Sequence, residues 1–253
     1  MDAIETDYSQ IASRYDDNKV RQKGVDTEIR RLLDNSPEGI SVLDLACGTG
    51  KYLKIQSGHY RNETVQWTGS DRSEEMLDVA RSKDIPARLI CCSAEDPRMA
   101  GDAGFDYIRN EFAWHHFTGH TAVIRNIRRM LKPGGLFTMV NICPEYMNHY
   151  WVYHYFPGTL EIDRQRFIDT TSLYESFRRE GFDLKVRVKT VVSELNYGRI
   201  LEEAENRDIS QLTLISDREY AQGLEKIRAD GNRGTTQIHD MAFLTLSAVK
   251  KEI

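Results

Sequence analysis

From about residue 40 the chain alternates short apolar runs with stretches in which apolar residues recur every three to four positions, and this alternation constrains the fold more than any other feature. Strands joined by crossover helices lie parallel and are buried on both faces, so the pattern predicts an α/β fold: a mostly parallel sheet with helices on both sides. Strands are expected over Ser41–Ala46, Val65–Ser70, Ala87–Cys92, Phe105–Asn110 and Gly135–Ile142. Between the last two, Val123, Ile124, Ile127, Met130 and Leu131 keep helical spacing until Pro133, Gly134 and Gly135 stop it. Ser73 is placed to cap the helix after the second strand, with Glu74 and Glu75 where negative charge complements the helix dipole; that helix should run to Ser82.

Further on, a helix over Thr171–Arg179 leads through Gly181 to a strand rich in β-branched residues, Leu184–Val192, and a last strand is expected over Met241–Val249, seven in all. The stretch 197–236 is too long for a hairpin and carries two helical patterns, the second opened by the capping-box sequence Ser216-Asp217-Arg218-Glu219. With 253 residues, 40% of them apolar, the chain can bury one sizeable core. It is read as a single domain, 1–253, with an amino-terminal helical cap at 1–35 and insertions at 143–170 and 197–236 forming a small helical lid over a substrate.

Several function classes are disfavoured by composition. A formal net charge of -5 argues against a general nucleic-acid binder, which needs a basic face to neutralise phosphates. No apolar stretch approaches the roughly 20 residues that span a bilayer, and the first residues are acidic and polar rather than signal-like. The cytoplasm is therefore the expected location, with no membrane partner. Cys47, Cys91, Cys92 and Cys143 lack paired Cys-x-x-Cys spacing and read as reduced thiols, and the histidines have no acidic partner at ligand spacing, so no metal is expected.

The first strand runs into Asp44-Leu45-Ala46-Cys47-Gly48-Thr49-Gly50, a glycine-rich turn where a buried strand gives way to a helix, the edge at which such sheets bind ligands. Glycine there lets the backbone take positive φ and lets a ligand approach without a Cβ in the way. Asp71 stands 21 residues beyond Gly50, at the end of the next strand, placed to accept hydrogen bonds from two ribose hydroxyls. The pair suggests an adenosine-containing ligand. A nicotinamide dinucleotide is the first competitor, but its Gly-x-Gly-x-x-Gly fingerprint would need glycine at position 53, where this chain has Leu53.

The run Val42-Leu43-Asp44-Leu45-Ala46-Cys47-Gly48-Thr49-Gly50 closely resembles the first motif of class I S-adenosylmethionine-dependent methyltransferases. The resemblance continues through Asp71, Ser93-Ala94-Glu95-Asp96, Phe105-Asp106-Tyr107 and Leu131-Lys132-Pro133-Gly134-Gly135. It is nearest to the small-molecule branch typified by ubiquinone and menaquinone biosynthesis methyltransferases, which share an amino-terminal element like Tyr8-Ser9-Gln10-Ile11-Ala12-Ser13-Arg14-Tyr15-Asp16. It implies the Rossmann-like methyltransferase fold, S-adenosylmethionine as cofactor and S-adenosylhomocysteine as product. It also implies roles: Gly48 and Gly50 line the methionine portion with Asp44 beneath, and Asp71, with Arg72 beside it, holds the ribose. Ala94 and Glu95 flank the adenine, and Asn110 faces the amino-acid end. Tyr15 folds over the cofactor or is an ordinary packing residue.

In this fold the methyl group points toward the ends of strands four and five, and the residues beyond both are aromatic. Trp114 and His115 after strand four, and Tyr146, Tyr150 and Tyr153 after strand five, are the expected substrate contacts; the alternative for the second stretch is a subdomain core or a dimer interface. His116 is the candidate general base, since an unperturbed imidazole titrates near neutrality, although the His-His pair also suits structural or cofactor-side packing. The leading reading is methyl transfer to a small molecule. The alternative is a protein of the same fold that binds S-adenosylmethionine without transferring methyl. A base-amine methyltransferase is disfavoured because Asn110-Glu111-Phe112-Ala113 stands where Asp/Asn-Pro-Pro-Tyr/Phe would be. A homodimer is left open, since the 197–236 insertion suits a partner subunit as well as the active site.

Overall fold

The computed structural model describes residues 24–96, 98, 104–207, 209–234 and 238–251; Tyr15 and the Tyr8–Asp16 element lie outside them. In chain order the elements are α1 Thr27–Leu33, β1 Ile40–Leu45, α2 Lys51–His59, β2 Val65–Asp71, α3 Glu74–Arg81, β3 Ala87–Cys91, β4 Phe105–Glu111 and α4 His120–Met130. They continue with β5 Leu131–Ile142, α5 Trp151–Tyr155, α6 Pro157–Arg166, α7 Thr170–Arg179, β6 Phe182–Glu194, α8 Tyr197–Glu205, α9 Asp217–Asn232 and β7 Ile238–Lys250. The seven strands form one sheet in the order β3-β2-β1-β4-β5-β7-β6. β1 to β5 pair in parallel, and β7 runs antiparallel between β5 and β6. The seven-stranded, mostly parallel architecture is the expected one.

Neighbouring residues on a strand point to opposite faces, and here both faces are buried. Leu43, Ile108 and Phe137 face a core completed by Val123, Ile127 and Phe177 from α4 and α7. Their neighbours Val42, Tyr107 and Leu136 face another, with Ile29, Tyr52 and Leu53 from α1 and α2. Strand order reverses between β1 and β4, so their carboxyl ends diverge and leave a crevice.

Ser73 caps α3 as expected, its hydroxyl accepting from Met76 N at 3.2 Å. β5 begins at Leu131 rather than Gly135, because Leu131 pairs with Phe105 before a register shift. β6 and β7 are longer than expected: they stay paired out to Glu194 and Ile238, whereas β5 leaves β7 at Phe243. The residues added at the far end of β6, Ser193 and Glu194, are polar and exposed and give no apolar alternation to read.

The two insertions fold against each other. Met147, Trp151, Val152 and Phe156 share a core with Ile200, Ala204, Leu212 and Ile227, separate from the sheet. Ser216 caps α9, accepting from Glu219 N at 3.3 Å, but the Glu219 carboxylate does not close the box. It accepts instead from Gly158 N at 2.6 Å, where an N–H of the first turn of α6 needs a partner, and so ties one insertion to the other.

Candidate functional site

The site starts from the turn after β1. Ala46 (φ 59°), Gly48 (φ 54°) and Gly50 (φ 71°) all take the left-handed conformation, which turns the chain sharply from the end of β1 into α2. Cys47 N donates to Ser70 O at 2.9 Å and Gly48 N donates to Asp71 Oδ2 at 2.7 Å, fastening the turn to the end of β2. The other carboxylate oxygen of Asp71 accepts from Ser73 N at 3.0 Å. Burial raises the Asp71 pKa, and the backbone bonds from Ser73, Gly48 and Arg72 oppose that rise. The two turn glycines differ in surroundings. A Cβ on Gly48 would meet nothing within 4 Å, whereas one on Gly50 would lie 2.6 Å from Ile85 Cδ1. Gly48 therefore borders open space, and Gly50 lets α2 and α3 approach.

That open space is a cleft bounded by the ends of β1 to β4, with Gly48, Asp71, Ala94 and Phe112 among its lining residues. Past the end of β3, Ser93 donates its hydroxyl to the Glu95 carboxylate, which also accepts from Thr118 N at 3.1 Å. Burial opposes ionisation of Glu95, but these bonds outweigh it and hold the carboxyl below its usual range. Asn126 Nδ2 fixes the same segment by donating to Ala94 O at 2.9 Å. At the end of β4, Phe112 is left-handed (φ 53°), an uncommon conformation for a bulky residue, and its N donates to Val140 O at 2.8 Å.

Of the residues expected at the cofactor, Gly48, Asp71, Arg72, Ala94 and Glu95 line this one cleft, together with His116. Asp44, Gly50 and Asn110 are not among its lining residues. Asp44 is 3% exposed, and Asn110 is fully buried, its Nδ2 donating to Leu45 O at 2.8 Å so that it stitches β4 to β1. Asn110 Oδ1 has no partner among the described residues.

The substrate expectations fare differently. Trp114 is 1% exposed and packs in the sheet core among His120, Phe137 and Phe177, because the three-residue helical turn Trp114–His116 rotates it inward. His115 stacks on Phe167 with ring centres 4.4 Å apart. Tyr150 and Tyr153 lie in the core of the helical unit, where Tyr153 donates to Asp163 Oδ2 at 2.8 Å. Tyr146 is 44% exposed on its surface. Tyr150 and Tyr153 are thus part of a subdomain core, and Tyr146 is not.

Sequence reasoning missed Met76 and Glu111 as lining residues. Glu111 is held by Arg109, Nη2 to Oε1 at 3.0 Å, and Arg109 Nη1 reaches Asp26 Oδ2 at 2.8 Å. The same oxygen accepts from Tyr52 (2.7 Å) and Tyr107 (2.9 Å). The available signal was an arginine in the middle of an apolar strand, which must find a buried anion. The helical unit also enters the site: Arg166 Nη2 lies 2.9 Å from His116 Nδ1. Among the described residues no cluster of His, Cys, Asp and Glu suits a metal ion, and no helix is long and apolar enough to cross a membrane.

A family described as a methyltransferase domain matches residues 42–135. A demethylmenaquinone methyltransferase of Thermotoga maritima is 32% identical over 146 residues, covering 54% of this chain and 60% of that protein. A human protein described as a probable tRNA methyltransferase 9B is 34% identical over 110 residues, 42% of this chain and 22% of that one. This chain thus spans less than two thirds of the length of these relatives. Among solved structures, Haemonchus contortus phosphoethanolamine N-methyltransferase 2, bound to phosphomonomethylethanolamine and S-adenosylhomocysteine, superposes with a TM-score of 0.57 at 20% identity, covering 96% of this chain and 58% of that one. The fold is the class I methyltransferase fold, and the chain resembles the menaquinone and ubiquinone methyltransferases.

Proposed function

We propose that this chain is an S-adenosylmethionine-dependent methyltransferase acting on a small molecule. One observation carries the reading: Gly48 N–H donates to Asp71, so the glycine turn and the acidic end of β2 form one wall of a cleft at the point where strand order reverses. The residues suit the cofactor. Gly48 leaves room where a Cβ would stand, and each Asp71 oxygen keeps acceptor capacity beyond its backbone bond. Met76, Ala94 and Phe117 supply apolar surface for a purine, and Glu95 is held ionised beside it.

S-adenosylmethionine supplies a methyl group already activated on a sulfonium, so the protein's share is alignment and exclusion of water. Gly48 and Asp71 would hold and orient the nucleoside end, Phe112 would add apolar surface that helps exclude water, and His116 is the lining imidazole that would be offered to the acceptor. The names of the Thermotoga and Haemonchus relatives support methyl transfer to a small molecule. The tRNA-directed relative matches over a shorter stretch, and the net charge of -5 disfavours a polyanionic partner. The test is calorimetric titration with S-adenosylmethionine and S-adenosylhomocysteine, followed by a methyl-labelled donor offered to a panel of phenols, quinols and amines. Micromolar binding with label transferred to an acceptor is the expected result. Binding without transfer to any acceptor would favour the non-transferring alternative, and no binding to folded protein overturns both.

A further inference from the structure

We propose that His116 is a hydrogen-bond donor to an anionic oxygen of the acceptor molecule, held in its Nε2–H form by Arg166 reaching in from the helical unit. The identity of the occupant rests on the methyl-transfer reading; the state of the ring does not.

A guanidinium has five N–H donors and no acceptor. With Arg166 Nη2 2.9 Å from His116 Nδ1, that nitrogen must present its lone pair, and the proton of the neutral ring lies on Nε2. The arrangement is built rather than incidental. Arg166 is 7% exposed and pairs through Nη1 with Asp163, itself fully buried, at 3.4 Å. Asp163 also accepts from Tyr153 OH at 2.8 Å and Gln211 Nε2 at 3.1 Å, so side chains from both insertions hold the guanidinium. Arg166 Nε is buried with no partner among the described residues, leaving the cation a donor in reserve.

His116 lines the cleft, and a ring whose Nδ1 is occupied by a cation offers it an N–H rather than a basic lone pair. Charge-assisted bonds favour an acceptor oxygen that carries negative charge, as in a phenolate, an enolate or a carboxylate. The nearby carboxylate of Glu111 is held by Arg109 at 3.0 Å, a guanidinium shared with Asp26 at 2.8 Å that offsets one of these two charges, so the preference for an anionic oxygen rests on the His116 N–H itself. His116 therefore orients an acceptor that arrives ionised or ionises on binding, in place of the general-base role expected from sequence.

The test uses the full chain with ¹⁵N-labelled histidine. Long-range proton–nitrogen correlation spectra, with His116 identified by its loss in His116→Gln, should show the Nε2–H form in the wild type. In Arg166→Met the pattern should become a mixture of the two neutral forms. Arg166→Lys keeps a cation for Asp163 if the methionine variant fails to fold, and should show the same mixture because one ammonium cannot span both partners. An Nδ1–H ring in the wild type, or an unchanged pattern in folded Arg166 variants, overturns the proposal. The anionic-oxygen part is read with 4-nitrophenol in the presence of S-adenosylhomocysteine, following the phenolate absorbance. The wild type should bind the phenolate, His116→Phe should bind it about tenfold more weakly, and His116→Gln, which keeps an N–H, within about threefold of wild type. No phenolate binding by the wild type, or equal binding by the phenylalanine variant, overturns that part. Failure of S-adenosylhomocysteine to bind would instead strike the methyltransferase reading and leave the ring test standing.

Discussion

The two walls of the cleft are made in different ways. The wall at the ends of β1, β2 and β3 is made of backbone: a turn with three left-handed residues, fastened by one carboxylate and by bonds between neighbouring strands. The wall toward the helical unit ends in His116, which is backed from behind the cleft lining by Arg166, 50 residues away, and beyond it by Asp163 and Gln211, 48 residues apart. A backbone wall demands particular residues at particular positions. A side-chain wall demands only that something of the right shape and charge arrives, and many sequences can supply that.

If the walls are independent, damage to one should spare the other. The largest effect is expected from Asp163→Ala. It leaves the buried Arg166 guanidinium without its anion, and breaking a buried pair from one side costs about 3–5 kcal/mol. Urea unfolding followed by tryptophan fluorescence should show the helical unit melting early, since Trp151 lies in its core and Trp67 and Trp114 lie in the cores packed on the sheet. Affinity for S-adenosylhomocysteine should stay within about threefold of wild type. Collapse of both together would show that the walls are one cooperative unit.

The converse is Asp71→Ala. It removes the acceptor proposed for two ribose hydroxyls and frees Gly48 and Ser73 N–H, and charge-assisted bonds of roughly 1.5–3 kcal/mol make about a 100-fold loss of cofactor affinity the expected outcome in calorimetry. Stability of the helical unit should be unchanged.

The same contrast decides what was legible in the sequence. The five parallel strands, the Ser73 cap and the turn from Asp44 to Gly50 could be read because each is a local demand: apolar runs for strands buried on two faces, a hydroxyl at a helix start, glycine where φ is positive. Ala46 and Phe112 were not legible as strained positions, since nothing about alanine or phenylalanine announces φ near 55°. Trp114 was placed at the substrate because it follows β4, but a single helical turn decides which of Trp114, His115 and His116 faces the cleft, and sequence spacing does not reveal that rotation. Tyr150 and Tyr153 were aromatic for the sake of a core that exists only when residues 143–170 meet 197–236. The Asp26–Arg109–Glu111 relay spans more than 80 positions and has no local signature.

A smaller test separates two glycines of the backbone wall. Alanine at either Gly48 or Gly50 must hold a left-handed conformation, at about 1–2 kcal/mol. At Gly50 the new methyl also presses on Ile85 Cδ1 and Ala80 Cβ, so Gly50→Ala should be the less stable protein by thermal or urea unfolding. Gly48→Ala meets nothing in the protein, so its stability should fall by the strain alone while cofactor affinity falls further. Equal loss of affinity in the two variants would mean that turn geometry, rather than room for a ligand, is what Gly48 provides.

The smallest effect concerns His120, which opens α4 and stacks on Trp114, ring centres 5.6 Å apart. Burial lowers its pKa from the ordinary 6.5, against weaker opposing effects of a backbone bond to Trp114 and the charge of Glu95. Its Nε2 is buried with no partner among the described residues, so a proton added there would be a donor with nothing to receive it. Between the depressed folded value and 6.5 the unfolded chain therefore binds more protons than the folded one, and stability must fall as pH drops through that window. Above 6.5 the contribution is complete, and below the folded value the loss is constant. His120→Phe keeps the stacking and removes the proton site, so urea midpoints measured from pH 7 down to pH 5 should decline less steeply in the variant than in the wild type. Parallel declines would mean that the ring reaches solvent when protonated, and that the start of α4 opens more easily than its packing on Trp114 suggests.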